Sequence, residues 1–302
     1  MRRRIRRTFG FGALLVMPAV LLAQGGISRP LVLVPVKVTD ELNRVVTGLD
    51  QNAFEVYEDK VRQNIVSFGR SDAPQSIGIV LDASASMGSS LERCRLAVGE
   101  ILKWLSPADE AFLLELSDRP QLTVPMTRNA DDIRSRLNLV DSKGRTALWD
   151  GVYLVLNTME KAHNSRRALI VISDGYDNGS LYNAAEVGSL VRQADVRIYG
   201  IGIAEAGVAR GRTAADLSGQ EKLRYLSEPT GGRTIAVENT AELPDMAAKI
   251  GAEIRDQYFV EYSSGNEARD GKYRKISIRV IAAKGDPPLR AFWKAGYFAP
   301  TN

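Results

Sequence analysis

The chain has 302 residues, 44% of them hydrophobic and 25% charged, which is enough for one large buried core and a second, smaller one. Its formal charge of +4 is concentrated at one end: Arg2, Arg3, Arg4, Arg6 and Arg7 fall in the first seven residues, and setting those five aside turns +4 into −1. Nucleic-acid binding needs clustered cations to neutralise phosphates, and the remainder of the chain has no basic excess to supply them.

The basic start runs into the apolar stretch Phe9 to Ala23, interrupted by Pro18 and followed by Gln24-Gly25-Gly26. That layout predicts a secretory signal peptide over residues 1–23, since the apolar run is short for a membrane span. Arg6-Arg7 ahead of Thr8-Phe9 resembles a twin-arginine signal, and the general export route fits equally well. Membrane attachment is expected only if this segment stays uncleaved. Cys94 is the only cysteine, so no intrachain disulfide can form, and its place among helical residues predicts burial rather than reactivity.

After the leader, Leu31 to Val38 and Phe54 to Glu58 read as β-strands separated by turn-forming segments, within an all-β stretch of residues 27–73. From Ile77 the pattern changes. Short apolar runs at Ile77 to Leu81, Ala111 to Leu116, Leu169 to Ile172 and Val196 to Ile203 alternate with helical runs at Leu91 to Leu105, Ala147 to Lys161 and Ala184 to Ala194. Continuous apolar strands between helices predict a mostly parallel sheet covered on both faces, an α/β domain over 74–256. Ala204 to Gln220 breaks the alternation and reads as a loop beside the strand ends. Gln257 to Tyr262, Tyr273 to Ile281 and Leu289 to Phe298 alternate as strands without helices. Neither β segment can close a core alone, so residues 27–73 and 257–302 are expected to pair in a discontinuous β-sandwich.

The chemistry concentrates at Ile77-Gly78-Ile79-Val80-Leu81-Asp82-Ala83-Ser84-Ala85-Ser86, a buried strand ending in an acid and two alternate hydroxyls. Ligand sites of open α/β sheets form at such carboxyl ends, and Asp with Ser offers hard oxygen donors to a small divalent ion. Read alone, the same serines serve equally well as caps of the following helix. Gly144-Arg145-Thr146-Ala147 places a second hydroxyl at a helix entry, and Ile170-Val171-Ile172-Ser173-Asp174 ends another buried strand in an acid. Each of these also has a plain reading, Thr146 as a cap and Asp174 as a turn former.

Taken together and in this order, the three stretches resemble the metal-ion-dependent adhesion site of the von Willebrand factor type A family. The flanks resemble a bacterial group of exported proteins built on that domain, through Gly48-Leu49 ahead of Phe54-Glu55-Val56 and the ending Gly296-Tyr297-Phe298. The resemblance implies a Rossmann-like sheet wrapped by helices, with Asp82, Ser84, Ser86, Thr146 and Asp174 around the ion and Asp177 and Trp149 on the ligand-binding rim. It implies Mg2+, with Mn2+ or Ca2+ as alternatives, and a vacant coordination position that accepts an Asp or Glu of a protein or matrix partner. The expected role is non-enzymatic binding outside the cytoplasm, periplasmic or secreted. Two rival readings are a metal-assisted hydrolase and a structural envelope subunit. The hydrolase lacks an evident general base, because His163 is the sole histidine and lies in the polar segment Lys161 to Arg166.

Other motifs dissolve on inspection. Gly265 to Tyr273 has the wrong spacing and a Tyr where a phosphate loop needs Ser or Thr, and after Gly200-Ile201-Gly202 the third glycine of a dinucleotide fingerprint is misplaced and no helix follows promptly. Asp174 to Gly179 begins like a calcium loop, but its twelfth position is Ala185.

Overall fold

The computed structural model describes residues 29–41, 44–70, 73–203, 218–282 and 287–301. The expected signal peptide and most of the loop at 204–220 lie outside them. Among the described residues no helix is long and apolar enough to cross a membrane.

The central unit is a six-stranded sheet ordered β6-β5-β4-β7-β8-β9. Its strands are β4 (Gln75–Asp82), β5 (Glu110–Leu116), β6 (Gln121–Thr127), β7 (Arg166–Ser173), β8 (Arg197–Ile203) and β9 (Thr234–Val237). All neighbours run parallel except β6, which pairs antiparallel with β5 at the edge. That edge is where Pro125, which has no amide to donate, is tolerated.

Alternation along the strands decides which helix covers which face. Ile77, Ile79 and Leu81 of β4 point into a core shared with α1 (Leu91–Leu102) and α6 (Leu243–Arg255). Val80, with Phe112 and Leu114 of β5, faces α3 (Leu148–Glu160), α4 (Ala184–Gln193) and α5 (Gly219–Ser227). The short α2 (Ala130–Leu137) packs beside the edge strand. Burial on both faces explains why β4 is apolar throughout instead of alternating with polar residues. The chain leaves β4 for β5 on one side and later reaches β7 on the other, so β4 lies at a topological switch point, where the loops part above the strand ends.

The flanking segments do pair. β1 (Leu31–Thr39), β2 (Phe54–Glu58), β3 (Val61–Arg70), β10 (Tyr258–Ser263), β11 (Tyr273–Val280), β12 (Arg290–Phe292) and β13 (Gly296–Phe298) form one antiparallel sheet ordered β12-β1-β10-β3-β2-β11-β13. β1 changes partner midway, from β10 through Val36 to β12 from Lys37, which turns the sheet through a corner. The two edge strands are consecutive in the chain, joined by Trp293-Lys294-Ala295. The same C-terminal segment therefore caps both edges, and the sheet curls into a barrel-like enclosure around Val36, Val56, Val260 and Tyr262. Trp293 holds the closure, donating its ring N–H to the Ile276 carbonyl at 3.0 Å.

A candidate metal centre at the strand ends

β4 and β7 end side by side and deliver Asp82 and Asp174 to the same edge of the sheet. Asp82 is fully buried; its Oδ1 accepts the Ser84 amide at 2.9 Å and its Oδ2 the Ser173 hydroxyl at 2.5 Å. Ser84 Oγ and Ser86 Oγ lie 3.1 Å apart, and Ser86 Oγ donates to Asp174 Oδ2 at 2.6 Å. Asp174 Oδ1 accepts the Tyr176 amide at 2.9 Å, and Gly175 between them takes a positive φ of 76°, where a Cβ would strike the Gly219 carbonyl. The glycine is required by the turn that aims Asp174.

The second loop is held between the other two by its main chain. The Lys143 amide donates to Ala83 O at 2.8 Å and the Ala85 amide to Gly144 O at 3.0 Å, tying it to the first loop. The Asn178 and Gly179 amides both donate to Thr146 O at 3.0 Å, and the Thr146 amide returns a bond to Asn178 Oδ1, tying it to the third. Thr146 is buried at this junction.

The capping reading of the hydroxyls fails. Neither Ser84, ahead of the short turn Ala85–Met87, nor Ser90, ahead of α1, makes a side-chain cap bond. The entry of α3 is capped from the third loop: Asp177 Oδ1 accepts the Leu148 amide at 2.8 Å, and Ser180 Oγ accepts the Trp149 amide at 3.0 Å. Ser84, Ser86 and Thr146 are therefore not consumed by helix ends.

Burial pushes the Asp82 carboxyl up to about 6; the Ser173 and Ser84 bonds pull it down, and the Asp174 charge raises it again. None of these groups is a cation. Asp82 thus meets a second acid and hydroxyls, an arrangement whose negative charge a divalent cation would offset. Among the described residues no three His, Cys, Asp or Glu side chains form a cage, so hydroxyls would have to complete any coordination sphere. Oxygen donors without sulfur or imidazole suit Mg2+, Mn2+ or Ca2+.

Residues 77–176 match the family model of the von Willebrand factor type A domain. The chain carries a von Willebrand factor type A domain. An uncharacterized protein of Borreliella burgdorferi is 28% identical over 140 residues, 43% of this chain and 41% of that protein. Inter-alpha-trypsin inhibitor heavy chain H4 of Bos taurus is 27% identical over 137 residues, 41% of this chain and 15% of that one. The chain thus spans less than half the length of either relative. A solved structure described as von Willebrand factor type A from Catenulispora acidiphila superposes with a TM-score of 0.53 over 84% of this chain and 75% of its own, at 11% identity, a likeness of fold.

Within this von Willebrand factor type A domain the two residues expected on the rim, Trp149 and Asp177, each have a structural role. Trp149 is 5% exposed and packs edge-on against Tyr225 at 6.2 Å, so its ring is part of the core. Asp177 is half-buried and engaged in capping α3, holding the third loop in place. What projects instead from that loop is Leu181, 93% exposed, on a backbone pinned by Asp150, which accepts the Leu181 and Tyr182 amides at 2.9 Å. Ser173 is the orienting residue that sequence reading missed; its position just before Asp174 at a strand end was the available signal. His163 sits at the opposite end of the sheet, its Nδ1 2.8 Å from Glu110 at the start of β5. Burial pushes Glu110 up, but Ser76 and the ring and amide of His163 outweigh it and hold the carboxyl below its ordinary value. Seven residues of strand separate that end from the Asp82 end, about 20 Å. Cys94 is buried beneath the site, and burial, with the Asp82 charge, pushes its thiol up to about 12, which leaves it unreactive.

Proposed function

We propose that Asp82, Ser84, Ser86, Thr146 and Asp174 hold a divalent ion, Mg2+ or alternatively Mn2+ or Ca2+, and that the ion's open face takes an Asp or Glu carboxylate of a protein or matrix partner. The protein would act as a binding module outside the bacterial cytoplasm. The observation that supports this most is the convergence of Asp82 and Asp174 on the Ser84 and Ser86 hydroxyls, which cap no helix, with Asp174 and hydroxyls as the side chains acting on Asp82. With few carboxylates among its ligands the ion would stay under-neutralised, and an incoming carboxylate would gain a strong charge interaction. A hydrolytic role has less support, because the one histidine lies at the far end of the sheet and the acids of the site are engaged with hydroxyls and amides.

The test has two readouts. Mn2+ titration followed by electron paramagnetic resonance is expected to show a single site in the wild type and none in Asp82→Ala. Capture of partners from envelope extract is then expected in Mg2+ and not in chelator. Capture that persists in chelator and in Asp82→Ala would sink metal-dependent recognition, and turnover of generic esters abolished by the same substitution would favour the hydrolase.

A further inference from the structure

At the end of the α/β sheet opposite the proposed ion, the starts of β7 and β8 meet the outer face of β1 and β10 around a cavity of about 120 Å3. The space exceeds what a single water needs, roughly 10–15 Å3 on the same measure, and is large enough for a small polyatomic ion. Arg166, Arg167, Arg197 and Lys294 line it, with Asp195 as the acid among them, and Pro35 and Phe259 form its apolar wall. Arg167, Arg197 and Lys294 beside the single acid Asp195 are an unusual lining for an internal junction, since buried charges are normally paired.

Arg167, Arg197 and Lys294 are incompletely neutralised by the described residues. Arg167 gives its bonds to the Asn164 and Ala162 carbonyls, and Arg197 gives one to the Pro35 carbonyl. Among the described residues neither has a carboxylate within ion-pair distance. Lys294 donates to the Ala194 carbonyl at 2.9 Å, and its nearest acid oxygen is 3.7 Å away on Asp195, whose side chain is 84% exposed. Burial holds the Lys294 ammonium below its ordinary pKa despite Asp195. Two further donors on the lining meet no acceptor: Nη1 of Arg197, a residue 7% exposed, and Nε2 of Gln75, 3% exposed. Leaving a buried donor unsatisfied is costly, and an oxygen acceptor bound within reach would remove that cost.

We propose that this cavity is a binding site for a small oxyanion, phosphate-like or a short carboxylate, held by Arg197, Lys294 and Gln75 between the two units. Arg197 and Gln75 come from the α/β unit and Lys294 from the segment that closes the barrel, so the anion would bridge them. The site is independent of the proposed ion, about 20 Å away along β4.

The experiment is calorimetric titration of the full chain in chelator at constant ionic strength, with inorganic phosphate in one arm, succinate in a second and chloride as control. One-site saturable binding of phosphate or succinate is expected, with the stronger arm naming the anion class, and chloride silent. Arg197→Met is expected to weaken the binding at least tenfold with the far-ultraviolet spectrum unchanged. Should that variant not fold, Lys294→Met carries the same expectation. Asp82→Ala is expected to bind the anion as the wild type does. The absence of saturable binding in both arms up to about 10 mM, ten times a millimolar dissociation constant, would overturn the proposal. So would unchanged affinity in a folded Arg197→Met or Lys294→Met, or loss of binding in Asp82→Ala.

Discussion

Asp82 shows at the scale of one residue how a site can be built against the stability of the fold that carries it. Its carboxyl stands at about 6 in the fold against 3.8 for an ordinary aspartate, chiefly because it is buried. A raised carboxyl favours the protonated form in the folded state. Its contribution is therefore most favourable below about 3.8 and is lost as pH rises through about 6, with the folded protein disfavoured by about 3 kcal/mol at neutral pH, to order of magnitude. In chelator, urea midpoints of the wild type should thus fall between pH 4 and 7 by more than those of Asp82→Asn, which keeps the shape and loses the charge. At pH 7.5 the variant should be the more stable protein in chelator and should lose any gain from added Mg2+. A wild type and variant with parallel pH profiles would mean that Asp82 is not strained by burial.

At the scale of elements, the junction between the units rests on a buried charge cluster carried by α6 and β1. Lys37 Nζ lies 2.5 Å from Glu253 Oε2, an ion pair without an aligned hydrogen bond, and Arg233 reaches the same oxygen through Nε at 2.9 Å and Nη2 at 2.8 Å. Lys37 and Glu253 are almost wholly buried, and burial pulls the Lys37 ammonium below its ordinary pKa against the attraction of Glu253. One acid thus serves two cations. Glu253→Gln strands both of them and should cost about 3–5 kcal/mol in urea unfolding, whereas Lys37→Met leaves the Arg233 pair intact and should cost about 1 kcal/mol or less. Equal losses in the two variants would show that the cluster is not organised around Glu253.

These elements also mark how far the sequence could be read. The helices and central strands were legible because each carries its own periodicity: the unbroken Ile77 to Leu81 run and the helical stripe of Ala184 to Ala194 reappear as β4 and α4. The five residues of the proposed ion site stood out in the sequence because they follow strands or precede helices of this kind. The surroundings of those residues were not legible. Ser173 holding Asp82, Asp177 capping α3 in place of Thr146, and Trp149 turned into the core depend on contacts between residues about 30 to 90 positions apart, which no local pattern encodes.

For the molecule as a whole, the least legible feature is the one that completes it. β12 and β13 have three residues each, too few for any alternation to show, yet they cover both edges of the seven-stranded sheet. Exposed edges template unwanted pairing, and closure removes them. The link between them also seats the barrel on the α/β unit, since a Cβ at Gly231 would lie 2.4 Å from the Trp293 carbonyl carbon, and only glycine fits that close approach at its φ of 77°. Trp293 is half-buried and bonds the Ile276 carbonyl, so Trp293→Ala removes both the packing and the pin. The expected cost is about 2–3 kcal/mol, below the usual value for a fully buried tryptophan. Because the barrel is assembled from both ends of the chain, loosening its closure should expose amides of β1 and β11 to hydrogen exchange together, although they are about 240 residues apart. Faster exchange in β11 alone would mean that the C-terminal segment decorates one edge without closing the sheet.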